Sequence, residues 1–302
     1  MRIHKKPRRP KVLCWMLLML CINTTVCASD EIFVTDPVGR RMKIPQNPMR
    51  IISLAPNITE IVFALGQGHR LVGVTTYSDY PPQARRIQQI GSYVHPDLER
   101  IVSLAPDLCL AIKDGNPRDV VSRLESFGIP VYAVDPRDLN GVMAALLAMG
   151  GLLNTEDTAG RIVADMHRRI RAVEDRVMQA DHRPRVFFQI GVSPIVSVGT
   201  HTFIHELIVQ AGGINVAQGP VPYPRFSREQ VLDLAPEVII ITSMARTAVF
   251  NQVKAGWQQW PDLPAVRNDR IFIQESNLFD RPTPRLVDAL EILARLIHPE
   301  LF

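Results

Sequence analysis

LERIVSLAPDLCLAI at residues 98–112 and REQVLDLAPEVIII at residues 228–241 write nearly the same phrase twice. Each copy carries a glutamate (Glu99, Glu229), an apolar helical turn, Leu-Ala-Pro, an acid (Asp107, Glu237) and an apolar run. Leu and Ala suit a helix face packed on a sheet, and Pro stops the helix so that the next strand can begin. A phrase repeated in this register implies two similar lobes.

Working outward from the two phrases, short Val/Ile/Leu runs alternate with helical patterns. The first half reads RIISL, then the helix NITEIVFALG, LVGVT, the first phrase, the helix VVSRLESFG and VYAV. The second half reads RVFFQI, the helix FIHELIVQAGG, the second phrase, RIFIQ and a last helix from about Pro284 to Ile297. Apolar runs of this length, bounded by turn residues and separated by helices, are the pattern of parallel strands buried on both faces. The expected fold is α/β, two Rossmann-like lobes at 29–152 and 183–302.

Between them, residues 153–182 form a single long helix by pattern. Ala159, Ile162, Val163, Met166, Ile170, Val173 and Val177 recur at three and four, while Arg, Asp and Glu fill the other face. Asn154 or Thr155 can cap its start, and Pro184 follows its end. A helix of about 25 residues spans about 37 Å. A hinge would be rich in Gly or Ser; this segment predicts a strut.

Residues 1–28 read as a signal peptide. Arg2, Lys5, Lys6, Arg8, Arg9 and Lys11 precede an apolar core at 12–22, too short for a bilayer span of about 20 residues. Val26-Cys27-Ala28 favours cleavage before Ser29 over a lipid anchor at Cys27. The whole chain carries 34 basic and 30 acidic residues, net +4; removing six basic residues leaves 28 against 30, net −2. The basicity therefore belongs to the signal segment, and no nucleic-acid face is expected. Of the cysteines, only Cys109 follows the expected cut, inside an apolar run, as a buried small hydrophobe.

In parallel α/β lobes, loops at the carboxyl ends of the strands converge on a crevice. Four of the five tyrosines, Tyr77, Tyr80, Tyr93 and Tyr223, fall in such loops. Aromatic faces with polar tips suit a broad, flat ligand edged with amides. His201 and His205, four apart beside Glu206, lack a third metal ligand and read as one helix face, with His201 nearest the crevice. His69, His95, His167, His182 and His298 are scattered. Acids such as Asp79, Asp114 and Asp135 are explained by turns, and no nucleophile elbow, dinucleotide fingerprint or Walker loop is present. A binding protein rather than a secreted hydrolase is expected, with no cofactor and no bound metal of its own.

TYSDYPPQARRIQQIGSY, LERIVSLAPDLCLAIKDGN, VPYPRFSREQVLDLAPEVIIIT and NLFDRPTPRLVDALEILARLIHPE resemble the helical-backbone (class III) substrate-binding proteins of ABC importers, in particular those that carry cobalamin. The resemblance runs from about Arg50 to the end. It implies a periplasmic monomer that captures a corrinoid between its lobes, with haem or a ferric siderophore as the alternative cargo. It places Tyr77, Tyr93 and Tyr223 against the ligand, with Asn277, Asp280 and Arg281 as polar contacts. It also implies that Glu99 and Glu229 dock on a dimeric inner-membrane permease with its ATPase subunits. The chain departs from its relatives at Ile112 and Val196, where those offer Trp and Phe, and at Tyr93 and Tyr223, where those offer Trp.

Overall fold

The computed structural model describes Met1, residues 31–242 and residues 247–302. The expected signal segment, with Cys27 and the cut before Ser29, lies outside the described residues. The chain enters through a hairpin, β1 (Glu31–Thr35) against β2 (Arg41–Pro45). The first lobe follows as β3 (Ile51–Ser53), α1 (Pro56–Ala64), β4 (Leu71–Val74), α2 (Leu98–Ser103), β5 (Leu108–Ile112), α3 (Arg118–Ser126) and β6 (Val131–Val134). Then come α4 (Leu139–Leu152) and the long α5 (Glu156–Val177). The second lobe contains β7 (Arg185–Gln189), β8 (Ile195–Val196), α6 (Phe203–Gln210), β9 (Ile214–Asn215), β10 (Arg225–Phe226), α7 (Arg228–Asp233) and β11 (Val238–Ile241). It closes with α8 (Thr247–Gln258), α9 (Pro264–Arg267), β12 (Ile271–Ile273), α10 (Ser276–Phe279) and α11 (Leu286–Ile297).

Both main sheets are parallel and share one topology: β4-β3-β5-β6 in the first lobe and β9-β7-β11-β12 in the second. The doubled phrase occupies equivalent places, α2 into β5 and α7 into β11. Its parts have matching physical tasks. Asp97 caps α2 by accepting from Arg100 N at 3.0 Å, and Ser227 and Gln230 form a capping box on α7. Ala105 and Ala235 both take positive φ, 45° and 42°, the left-handed residue that ends a helix. An arginine at the start of each lobe's first parallel strand then caps the freed carbonyls. Arg50 donates to Ala105 O (3.0 Å) and Leu104 O (2.6 Å), and Arg185 donates to Leu234 O (2.9 Å). The acid after Leu-Ala-Pro completes the clamp, since Asp107 accepts from Arg50 N at 3.0 Å and Glu237 from Arg185 N at 2.9 Å.

The entry hairpin protects a sheet edge. β6 is the outer strand of its sheet, so its free edge would template foreign pairing. Asp36, 3% exposed, accepts from Ala133 N (3.3 Å), while Arg40 donates to Val131 O (2.8 Å) and chelates Asp36.

The long helix spans 22 residues, about 33 Å. Its stripe is the expected one, with Ala159, Met166, Ile170, Val173 and Val177 buried and Ile162 and Val163 half-buried. Its start differs from the expected caps: Asn154 adopts φ +56°, and Thr155 holds the N-cap place without a side-chain bond to the helix. The helix is also less isolated than a bare strut. It packs on α4 from one lobe and α11 from the other, and Arg169 bonds Glu291 of α11 at 2.8 Å. The largest apolar core is continuous across these three helices and the inner faces of both sheets, while two smaller cores back the outer faces.

Candidate functional site

In the first lobe, β3 connects to β4 on one side and the chain later returns as β5 on the other, so the sheet order reverses between β3 and β5. Loops leaving adjacent strands in opposite directions open a crevice at that point. Asn116 sits there, 6% exposed, and ties three loops together. Its amide donates to Leu54 O (2.9 Å) and Tyr93 O (2.8 Å), and its carbonyl accepts from Ile112 N (2.8 Å). The backbone of Tyr93 is thereby fixed. The signal for Asn116 in the sequence is only an Asn in a turn, because two of its partners are distant in the chain.

Tyr77 and Tyr223 are 55% and 56% exposed, so neither ring merely plugs its own loop, whereas Tyr93 is half-buried. The second lobe presents Tyr223 on a ribbon in which β8 pairs antiparallel with β10. The ribbon continues through Ser197 N to Pro224 O (3.0 Å) and Gly199 N to Pro222 O (2.8 Å). Gly199 is required for that close approach, since a Cβ there would stand 2.0 Å from Val221 O. Burial raises the Tyr223 phenol, and the charges of Asp114 in the first lobe and Asp280 in the second raise it further. The phenol therefore remains a hydrogen-bond donor at neutral pH, flanked by acids of both lobes.

The polar residues expected on the second-lobe side are divided in their contacts. Arg281, nearly buried, reaches across the lobes to Glu60 (2.9 Å), Asp79 (2.9 Å) and Tyr77 O (2.9 Å). Asn277 donates to Asp79 at 3.4 Å. Arg285 joins at 3.3 Å from Glu60 and stacks 3.7 Å over the Tyr80 ring. Arg281 and Asn277 are thus engaged with the opposite lobe, which sequence alone did not foresee. Buried groups of this kind need such pairing, because an unpartnered charge away from water is costly.

Asp280 is different. Burial pushes its carboxyl up from 3.8 to about 7, with Thr242 and the Arg281 charge pulling the other way. Between those two values the folded protein holds a proton that the unfolded chain has released. The resulting stability is complete at low pH and lost as pH rises through about 7. Asp280→Asn is expected to match the parent near pH 4 and to exceed it at pH 8 by about 4 kcal/mol, given about 1.4 kcal/mol for each tenfold change in proton affinity. Thermal melts across that range check it; a constant gap between the two proteins would contradict a buried, proton-holding Asp280.

Glu99 and Glu229 are exposed in the first turns of α2 and α7, equivalent places in the two lobes. The Glu229 carboxylate is held below the usual range by its own backbone N–H and by Ser227. His201 lies ahead of the Thr202 N-cap of α6, so it does not share a helix face with His205. His205 bonds Asn215 at 3.1 Å, and Glu206 accepts from Leu139 N at 2.8 Å, capping α4. Among the described residues no group of three or more His, Cys, Asp or Glu is arranged to hold a metal ion.

The crevice, the matching sheets and the backbone helix can be set beside known proteins. The family model described as Periplasmic binding protein matches residues 51–278. A vitamin B12-binding protein of Vibrio cholerae is 33% identical over 276 residues, covering 90% of this chain and 96% of the relative. The crystal structure of the periplasmic vitamin B12 binding protein BtuF of Vibrio cholerae superposes with a TM-score of 0.74 at 31% identity, over 83% of this chain and 97% of that one. The periplasmic heme-binding protein RhuT from Roseiflexus, in apo form, gives a TM-score of 0.76 at 26% identity, over 84% and 99%. On the family match and the extent of the similarity, the chain belongs to the periplasmic binding protein family.

Proposed function

We propose that this protein captures cobalamin or a related corrinoid in the crevice and delivers it to an inner-membrane ABC permease dimer with its ATPase subunits. The observation that carries the reading is the crevice flanked by Tyr77 and Tyr93 from one lobe and Tyr223 from the other, in a chain similar along nine-tenths of its length to vitamin B12-binding proteins. Three phenols supply faces for a macrocycle and donors for side-chain amides at its edge. Asp280 adds a neutral carboxyl below pH 7. Among the described residues the crevice presents polar and aromatic groups, as a binding surface does. Residues 1–28 serve as the export signal in this reading, and the protein acts as a periplasmic monomer without a cofactor of its own.

Titration of the purified protein with cyanocobalamin tests it. One corrinoid per chain, with a perturbed cobalamin spectrum, is the expected result. A heme carrier would instead give a Soret band and no response to corrinoids. The neighbouring heme-binding structures favour that second reading only at the level of fold.

The shared core and the cross-lobe bonds of Arg281 predict a small closure. Because α5 is anchored on both sides, the lobes should rotate by only a few degrees on loading, unlike hinge-type receptors. X-ray scattering profiles of free and corrinoid-loaded protein are expected to coincide closely. A clear contraction would show that the backbone helix flexes.

A further inference from the structure

A second recess of about 460 Å³ lies between the lobes, and none of the three crevice tyrosines lines it. Phe63, Ala64, Pro81 and Pro284 give it apolar walls. The Phe63 ring is braced against the backbone at Gly68, where a Cβ would come within 2.3 Å of it. Arg281, outside the lining, bonds both Glu60 of the recess and the Tyr77 carbonyl.

Arg285 supplies the one cation of the lining. Its Nη1 bonds Glu60 at 3.3 Å, and its Cζ lies over the Tyr80 ring, 3.7 Å from the centroid. Among the described residues its Nε and Nη2 have no hydrogen-bond partner. A guanidinium fixed by stacking, with one edge bonded and the Nε/Nη2 edge open, is arranged to take a carboxylate bidentately. Arg85 and Arg86 stand exposed on the adjoining turn at 82–86, raising the local positive potential, and Gln83 adds an amide to the lining. Glu60 does not oppose an incoming anion strongly, because Arg281 also bonds its carboxylate, at 2.9 Å.

We propose that this recess is a second binding site, distinct from the crevice, for a small carboxylate bearing an apolar tail. The carboxylate pairs with the open edge of Arg285, and the tail lies along Phe63, Ala64, Pro81 and Pro284. Since the walls come from both lobes, an occupant also bridges them.

Octanoate is a suitable probe, with octan-1-ol as the control that keeps the tail and lacks the charge. Saturation-transfer NMR on the purified, corrinoid-free protein is expected to show octanoate binding at millimolar concentration, with octan-1-ol at least about tenfold weaker, as the loss of a charge-assisted pair implies. Arg285→Gln should weaken octanoate by a similar factor, and Ala64→Phe should block it by filling the recess while leaving every charge in place. Should Arg285→Gln fail to fold, Ala64→Phe and the alcohol carry the test. Tyr93→Ala with Tyr223→Ala should leave the signal intact, which separates this site from the corrinoid reading. Absence of any octanoate signal, equal binding of the alcohol, survival of the signal in Ala64→Phe, or its loss in the double tyrosine variant overturns the proposal.

Discussion

Alanine at both Tyr93 and Tyr223 is expected to weaken cyanocobalamin binding by about 2 to 6 kcal/mol, since each lost aromatic contact costs roughly 1 to 3. That corresponds to a loss of roughly 30-fold to 20,000-fold in affinity. In the proposed reading the two positions face the ligand from different lobes, and they rest on different supports. Tyr93 depends on Asn116, which anchors its backbone at the point where the sheet order reverses. Tyr223 depends on the ribbon that passes close to Gly199. The two losses add unless the ligand or the crevice the two rings share couples them. Isothermal calorimetry on the single and double variants measures the effect, with circular dichroism confirming the fold. An unchanged affinity in the double variant would remove the crevice tyrosines from the binding surface and, with them, the argument for a flat ligand.

The two lobes and their strands were legible because parallel α/β units announce themselves as apolar runs. VYAV at 131–134 and RVFFQ at 185–189 are strands buried almost throughout, and their shortness and β-branched and aromatic content favour strand over helix. The backbone helix was legible for the complementary reason, a one-sided stripe over six turns. What escaped was structure made by partners distant in sequence. The helix at 139–152 is apolar nearly all round, so it carries little periodic signal, yet it is what joins the long helix to the first lobe. Asp36 reads as a turn acid, and only the folded chain brings it to Ala133 N. The candidate site was legible to the same extent. Aromatic residues in loops stand out by type, whereas the cross-lobe engagement of Arg281 with Glu60, 221 residues away in sequence, cannot be inferred from either segment alone.

Glu99→Arg combined with Glu229→Arg is expected to abolish corrinoid-stimulated transport by the cognate permease while leaving corrinoid affinity unchanged. A carboxylate in a helix's first turn gains about 0.3 to 1 kcal/mol from the dipole, so helix stability alone accounts for an acid at each place. It does not account for the pairing. Asp97 and Ser227 already cap these helices through their side chains. The N-cap place is thus taken in both helices, and although Glu229 also bonds its own backbone N–H and Ser227, both glutamates are exposed to solvent. Equivalent topology of the two sheets sets the pair in matching positions, one on each lobe. A permease built as a dimer would offer two equivalent basic patches, and one acid per lobe would fix the register on both. Rim charges mainly steer encounter, so a single reversal should slow association and flatten its salt dependence, and the double reversal should repel the partner outright. Reconstituted permease, assayed for ligand-stimulated uptake across a range of ionic strength, reads the effect. Normal transport by the double variant, or loss of corrinoid binding itself, would return both glutamates to a role in the helix starts alone.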